Sequence, residues 1–227
     1  MCKPFTGFFL NSKNTSMEII LISTMVLVSY LIGSLPSSVW IGKAYHGTDV
    51  RDFGSGNAGA TNTFRVLGKP TGILVLFLDI VKGLTATSLI HYIPSVSHGT
   101  DQFINLQLLF GLLAVVGHIF PIYENFKGGK GIATLFGLLI GIHYLLALAC
   151  AGLFIIVLVS TKYVSLSSIM AAVAFPILTI FVFKRDEPLF IAFGVAAALL
   201  VVLTHKKNIT RLINGIENKA NLFGSKL

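Results

Sequence analysis

The chain has little charge and almost no cysteine. Only 11% of its 227 residues are Asp, Glu, Lys or Arg, where a soluble domain carries roughly 25%. Hydrophobic residues make up 54% and the mean hydropathy is +0.83. These figures also exclude a disordered segment, which stays unfolded through low hydrophobicity and high charge. Two cysteines, Cys2 and Cys150, cannot build a disulfide framework or a paired-cysteine metal or redox site. The six histidines include no His-Glu-x-x-His and no i, i+4 pair, and Asp49 with Asp52 is the nearest approach to a carboxylate cluster in the polar segments 42–70 and 121–130. No metal and no cofactor is therefore expected.

What the chain has is apolar length. A helix needs about 20 apolar residues to cross a hydrocarbon core of about 30 Å while satisfying its own backbone. Such runs occupy 19–41, 71–91, 164–183 and 189–203, with a shorter one at 106–120 and a long one at 131–160. As a single helix the long run would extend for about 45 Å, well beyond the core. Parity decides between one crossing and two. The polar segments 42–70, 121–130 and the tail from Thr204 share one face only if 131–160 makes two short crossings that turn near His143 and Tyr144. The sequence predicts an all-α, polytopic integral membrane protein of about seven spans. Residues 1–16 read as a short polar outer tail and 17–227 as a single membrane domain.

Charge gives the direction. There are 17 Lys and Arg against 9 acidic residues, a formal charge of +8, which in a soluble protein would suggest nucleic acid. Here most of the basic residues, among them Lys43, Arg51, Arg65, Lys127, Lys130 and Lys206, lie on the three polar segments. The positive-inside rule then sets those segments in the cytoplasm and the amino terminus outside. Nucleic acid is not an expected partner; membrane lipid is.

The first inner segment contains Gly54-Ser55-Gly56-Asn57-Ala58-Gly59-Ala60-Thr61-Asn62 and then Arg65. Its Gly-x-Gly-x-x-Gly spacing is that of a dinucleotide fingerprint, with Asp79 twenty residues beyond, but that motif has meaning only between a strand and a helix. A membrane helix precedes it here. Closely spaced glycines still let backbone N–H groups converge on an anion. Ser55, Asn57, Thr61 and Asn62 add neutral donors, and Arg65 adds the forked charge that phosphate prefers. A solvated, turn-rich connector would use the same residues. The second segment ends Lys127-Gly128-Gly129-Lys130-Gly131 and is not a nucleotide P-loop, because Glu124 and Gly131 stand where glycine and Ser or Thr are required. Gly-Gly-Lys-Gly opening a helix offers free N–H groups, the positive end of the helix dipole and a lysine. In the tail, His205, Asn208 and Arg211 recur on one face of a helix continuing the last span; a basic helix lying on lipid headgroups has the same pattern. Asp79 and Lys82, one turn apart inside a span, read equally as a structural ion pair or as the edge of a site. Ser165, Ser167 and Ser168 could add a hydroxyl.

Together, Gly33-Ser34-Leu35-Pro36, 54–62 with Arg65, His118-x-Phe120-Pro121 through Gly131, 164–168 and His205-x-x-Asn208-Ile209-x-Arg211 resemble the bacterial acyl-phosphate:glycerol-3-phosphate acyltransferases. The resemblance runs from about residue 19 to 217, with the motifs in order and at spacing. It implies seven spans, a cytoplasmic active site in the bacterial inner membrane, and acyl transfer from a fatty acyl phosphate to the sn-1 hydroxyl of glycerol 3-phosphate. Lysophosphatidic acid and inorganic phosphate would be the products. Carried over by position are Ser55, Arg65, Lys130, Ser165, His205 and Asn208, with Asn57 and Glu217 as further candidates. Ser55, Lys130, His205 and Asn208 would serve the chemistry, and all eight would bind phosphate. Two anion sites are expected, one of Ser55, glycine N–H groups and Lys130, the other of Arg65, His205 and Asn208. An enzyme supplying acyl phosphate is a possible partner. The alternative is a transporter of an organic phosphate, which would need binding groups near the midplane; only Asp79 and Lys82 qualify.

Overall fold

A computed structural model of the protein describes residues 12–220, and its described regular elements are all helical. The first helix, α1 (Ser12–Ser34), ends at Leu35-Pro36, and α2 (Ser37–His46) follows. The run 19–41 is therefore not one span. Pro36 lacks an N–H and its ring crowds the preceding turn, so the helix is interrupted there, and α2 carries the exposed Trp40 and Tyr45. The helix α3 (Ala60–Leu67) lies within the first polar segment, and α4 (Lys69–Ser88) begins directly after Gly68. Thr100 caps α5 (Asp101–Ile119) by accepting the Phe103 N–H at 3.2 Å, so this helix starts five residues before its apolar run. Residues 1–11 of the expected outer tail lie outside the described residues, and 12–16 are already helical.

The 30-residue α6 (Ile132–Thr161) cannot be straight. Lys130 before it and Ser165 after it reach the same Asn208–Glu217 pair, whereas a straight rod would part its ends by about 45 Å. The break is at His143, with φ −151° and ψ 85°. Its Nδ1 accepts the Leu146 N–H at 3.2 Å, so the side chain caps the second half in the manner of an N-cap residue. The fold-back falls at the residues where the sequence expects a turn. Helix α7 (Val164–Ile177) loosens into a π turn at Leu178–Val182 after Pro176. Then α8 (Pro188–Thr204) meets α9 (Lys206–Ile213) at a bend of 62°. The tail thus does not continue the last span, because His205 (φ −102°, ψ 10°) interrupts the helix.

Among the described residues five helices are long and apolar enough to cross a membrane, and six if α8 and α9 count as one broken span. Glycines allow their close packing. A Cβ at Gly83 would lie 1.9 Å from the Thr134 carbonyl oxygen, and one at Gly137 1.9 Å from that of Ile80, so α4 and the first half of α6 touch backbone to backbone, as small residues permit in lipid. Phe77, Leu148, Ile156 and Leu199 are left mostly exposed around the bundle, an outer surface suited to acyl chains rather than water.

Candidate active site

The glycine-rich segment wraps around one amide. Asn62, 1% exposed, accepts from the Ser55 N–H at 2.8 Å and the Ser55 hydroxyl at 3.1 Å, and its NH₂ donates to the carbonyls of Val50 (2.6 Å) and Phe53 (3.1 Å). A Cβ on Gly54, at φ +62°, would strike the Asn62 carbonyl oxygen at 2.4 Å. Asn62 is therefore used up shaping the loop and is not the free donor the sequence suggested. The first glycine of the fingerprint spacing, Gly54, thus serves a tight turn around a buried side chain.

The second segment folds back on the end of α5. Gly128 N–H donates to the Ile119 carbonyl (3.1 Å) and Gly129 N–H to that of His118 (3.0 Å), so these two amides are spent and the expected anion cradle loses them. What remains is the true start of α6, which has no side-chain cap and leaves its first N–H groups without helical partners, with Lys130 beside it. An ion-pair group braces this segment to the first: Arg51 donates to Asp49 (2.7 Å) and to Glu124 (2.6 Å), and Lys43 lies 3.2 Å from Asp49. Hydrogen bonds from Arg51 hold the Asp49 carboxyl well below the usual carboxylate range.

The tail supplies the third wall. Gly215, at φ +69°, turns the chain after α9 and returns Glu217, whose carboxylate accepts from Ser165 Oγ (2.8 Å), Asn208 Nδ2 (2.6 Å) and Arg211 Nε (2.7 Å). Burial alone would raise its pKa, but the hydrogen bonds from Arg211, Asn208 and Ser165 hold it low. Lys130 Nζ donates to Asn208 Oδ1. Burial pulls the Lys130 ammonium down to about 8, against the pull of Glu217. Burial also lowers Arg65. His205 Nδ1 lies 2.8 Å from the Val201 carbonyl, which can only accept, so the proton sits on Nδ1 and Nε2 keeps a free lone pair; among the described residues it has no hydrogen-bond partner.

All eight predicted residues, Ser55, Asn57, Arg65, Lys130, Ser165, His205, Asn208 and Glu217, line one cavity of about 440 Å³. They sit around its polar end. From there it runs into an apolar depth walled by Leu139, Phe136, Cys150, Phe154 and Phe175. Lys130, expected with Ser55, donates to Asn208 of the other expected group, so the two groups are joined in one cavity. Asp79 and His118 also line the wall. Lys82 donates to Asp79 at 2.7 Å and also to the Leu35 carbonyl, so the pair is at once a structural ion pair and the edge of the site. Sequence gave no sign of His118 beyond its place ahead of Phe120-Pro121.

Residues 23–215 match the family model described as glycerol-3-phosphate acyltransferase. A protein named glycerol-3-phosphate acyltransferase in Staphylococcus saprophyticus is 44% identical over 200 residues, covering 88% of this chain and 98% of its own. Another in Salinibacter ruber is 41% identical, covering 89% and 93%. Among solved structures, PlsY, an integral membrane glycerol 3-phosphate acyltransferase in its glycerol 3-phosphate form, superposes with a TM-score of 0.79 at 32% identity, covering 89% of this chain and 99% of that one. Its lysophosphatidic acid form gives 0.74 at 31% identity, covering 87% and 94%.

Proposed function

The chain belongs to the glycerol-3-phosphate acyltransferase family, a set of multi-pass membrane enzymes of lipid biosynthesis, and from that premise we propose that it acylates the sn-1 hydroxyl of glycerol 3-phosphate from a fatty acyl phosphate. The observation that carries this is the single cavity with two characters: a polar end with Arg65, Lys130 and the α6 start for phosphate, and an apolar depth for an acyl chain. The related structures in glycerol 3-phosphate and lysophosphatidic acid forms support a site that takes the acceptor and releases the acylated product. The fold-back of α6 supports counting it as two crossings, which with α1, α4, α5, α7 and α8 makes seven. The three polar segments then share the cytoplasmic face of the bacterial inner membrane, with the amino terminus outside.

Asn57, Arg65, Lys130 and Asn208 hold and orient the two phosphates. Ser55 and Ser165 join them by turning their hydroxyls away from Asn62 and Glu217, to which they otherwise donate. Glu217 fixes Asn208 and Arg211 around them. The acceptor hydroxyl attacks the acyl carbonyl carbon. A new C–O ester bond forms, the bond from carbon to the bridging phosphate oxygen breaks, and inorganic phosphate leaves. The proton of the attacking hydroxyl passes to an oxygen of that phosphate, while His205 Nε2 accepts from the neighbouring sn-2 hydroxyl and so aims the attacking one. With so good a leaving group no covalent enzyme intermediate is needed; proximity and charge stabilisation supply the rate. Purified protein in lipid, given labelled glycerol 3-phosphate with acyl phosphate, acyl-CoA or acyl carrier protein in turn, is expected to make lysophosphatidic acid only with acyl phosphate. Product from either thioester alone would reject the proposed donor.

A further inference from the structure

Gly129, the residue before Lys130, stands against two walls. A Cβ there would lie 2.2 Å from His118 Nε2 and 3.0 Å from the Ala58 carbonyl oxygen. The imidazole and a carbonyl of the glycine-rich segment therefore both press on the face of Gly129 where a side chain would stand. His118 is 7% exposed, with Nδ1 3.7 Å from Asp79 Oδ1. Asp79 is in turn fixed by Lys82 at 2.7 Å, and Lys82 is anchored on the Leu35 carbonyl. The backbone repeats the connection, since the His118 carbonyl accepts the Gly129 N–H at 3.0 Å. Four separate elements, the α1–α2 break, α4, the end of α5 and the Gly-Gly-Lys-Gly turn, are thus linked through Lys82, Asp79 and His118.

We propose that His118 and Asp79 are positioning residues for acyl transfer. The carboxylate, held by Lys82, keeps the imidazole against Gly129, and the thickness of that ring sets where Lys130 stands relative to the Ser55 segment. Nε2 is turned to backbone, so the ring acts through Gly129 rather than on substrate. The functional part of this inference rests on the reading of Lys130 as a phosphate ligand; the spacing part does not.

The test combines His118→Ala, Gly129→Ala and their double variant in lipid nanodiscs, with two readouts: kcat/KM for glycerol 3-phosphate, and hydrogen–deuterium exchange of the Gly128 and Gly129 amides. Gly129→Ala is expected to lose about 100-fold, the scale of a misplacement of about 1 Å, and His118→Ala about tenfold. In the double variant the new methyl group occupies the space the ring has left, so its loss should return to about tenfold, less than that of Gly129→Ala alone. Losses that multiply to about 1000-fold would overturn the proposal and give His118 a direct role. Asp79→Asn should cost activity in the wild type and nothing further on His118→Ala; an independent loss would detach Asp79. Exchange at the two amides should quicken in His118→Ala, and unchanged exchange would overturn the spacing. Should His118→Ala not fold, His118→Asn takes its place in each combination. A wild type that makes no product with any acyl donor would remove the functional reading, while the exchange result would still decide the spacing.

Discussion

Lys82 is buried and Lys130 half-buried, and they are compensated differently. Lys82, 5% exposed, is matched by the Asp79 carboxylate and a backbone carbonyl. Among the described residues Lys130 meets only the neutral amide of Asn208, and the carboxylate next in the network, Glu217, already accepts from three other donors. A buried charge without its own counter-ion costs free energy, and the lowering of the Lys130 pKa to about 8 has burial as its leading cause. On the proposed function, the difference separates a structural lysine from one whose charge serves an anionic substrate.

The largest expected effect is on activity. Lys130→Ala should reduce kcat/KM for glycerol 3-phosphate by about 10³-fold, the scale of losing a preorganised charge at a reacting phosphate, with thermal stability unchanged or raised. Lys82→Ala should do the opposite. It strands Asp79 and is expected to cost about 3 kcal/mol of stability, read as a lowered melting temperature, with a smaller loss of turnover in the fraction that remains folded. If the two variants behaved alike in both assays, the distinction between the lysines would be lost.

The contrast also marks what the sequence could disclose. Ser55, Arg65, Lys130, His205 and Asn208 came together as a group through the resemblance of their motifs to one family, and they line one cavity. The length of 131–160 and the parity of the polar segments pointed to the break at His143. Other features depend on which backbone group lies opposite, and no residue type encodes that. Asn62 looks like a donor to substrate until Val50, Phe53 and Ser55 are seen to consume it. Gly128 and Gly129 look like an anion cradle until their amides meet Ile119 and His118. The bend between α8 and α9 was hidden because His205, Asn208 and Arg211 share a face whether the helix is straight or broken.

Smaller effects sharpen the assignment. His205→Gln should lose about 10- to 100-fold, because glutamine keeps an acceptor near the place of Nε2, and its pH profile should keep the wild-type shape; a profile that changed shape would make His205 the base. The pH dependence should carry the signature of Lys130. A lysine with its pKa lowered to about 8 is charged below that value and loses its proton above it, so kcat/KM for glycerol 3-phosphate should fall as pH rises through about 8. In Lys130→Arg, whose side chain stays charged throughout, whatever activity remains should not show that fall. Least affected should be Lys69→Ala, an exposed cation at the start of α4, with a change under about twofold on the scale of exposed charges.

The central claim is that one cavity joins glycerol 3-phosphate to an acyl group whose leaving group is phosphate. Its most direct test counts products from purified protein in lipid given acyl phosphate and glycerol 3-phosphate. One inorganic phosphate should appear for each lysophosphatidic acid, with no ester formed when acyl-CoA replaces acyl phosphate. Ester formation from acyl-CoA, or phosphate release that does not track ester formation, would contradict it.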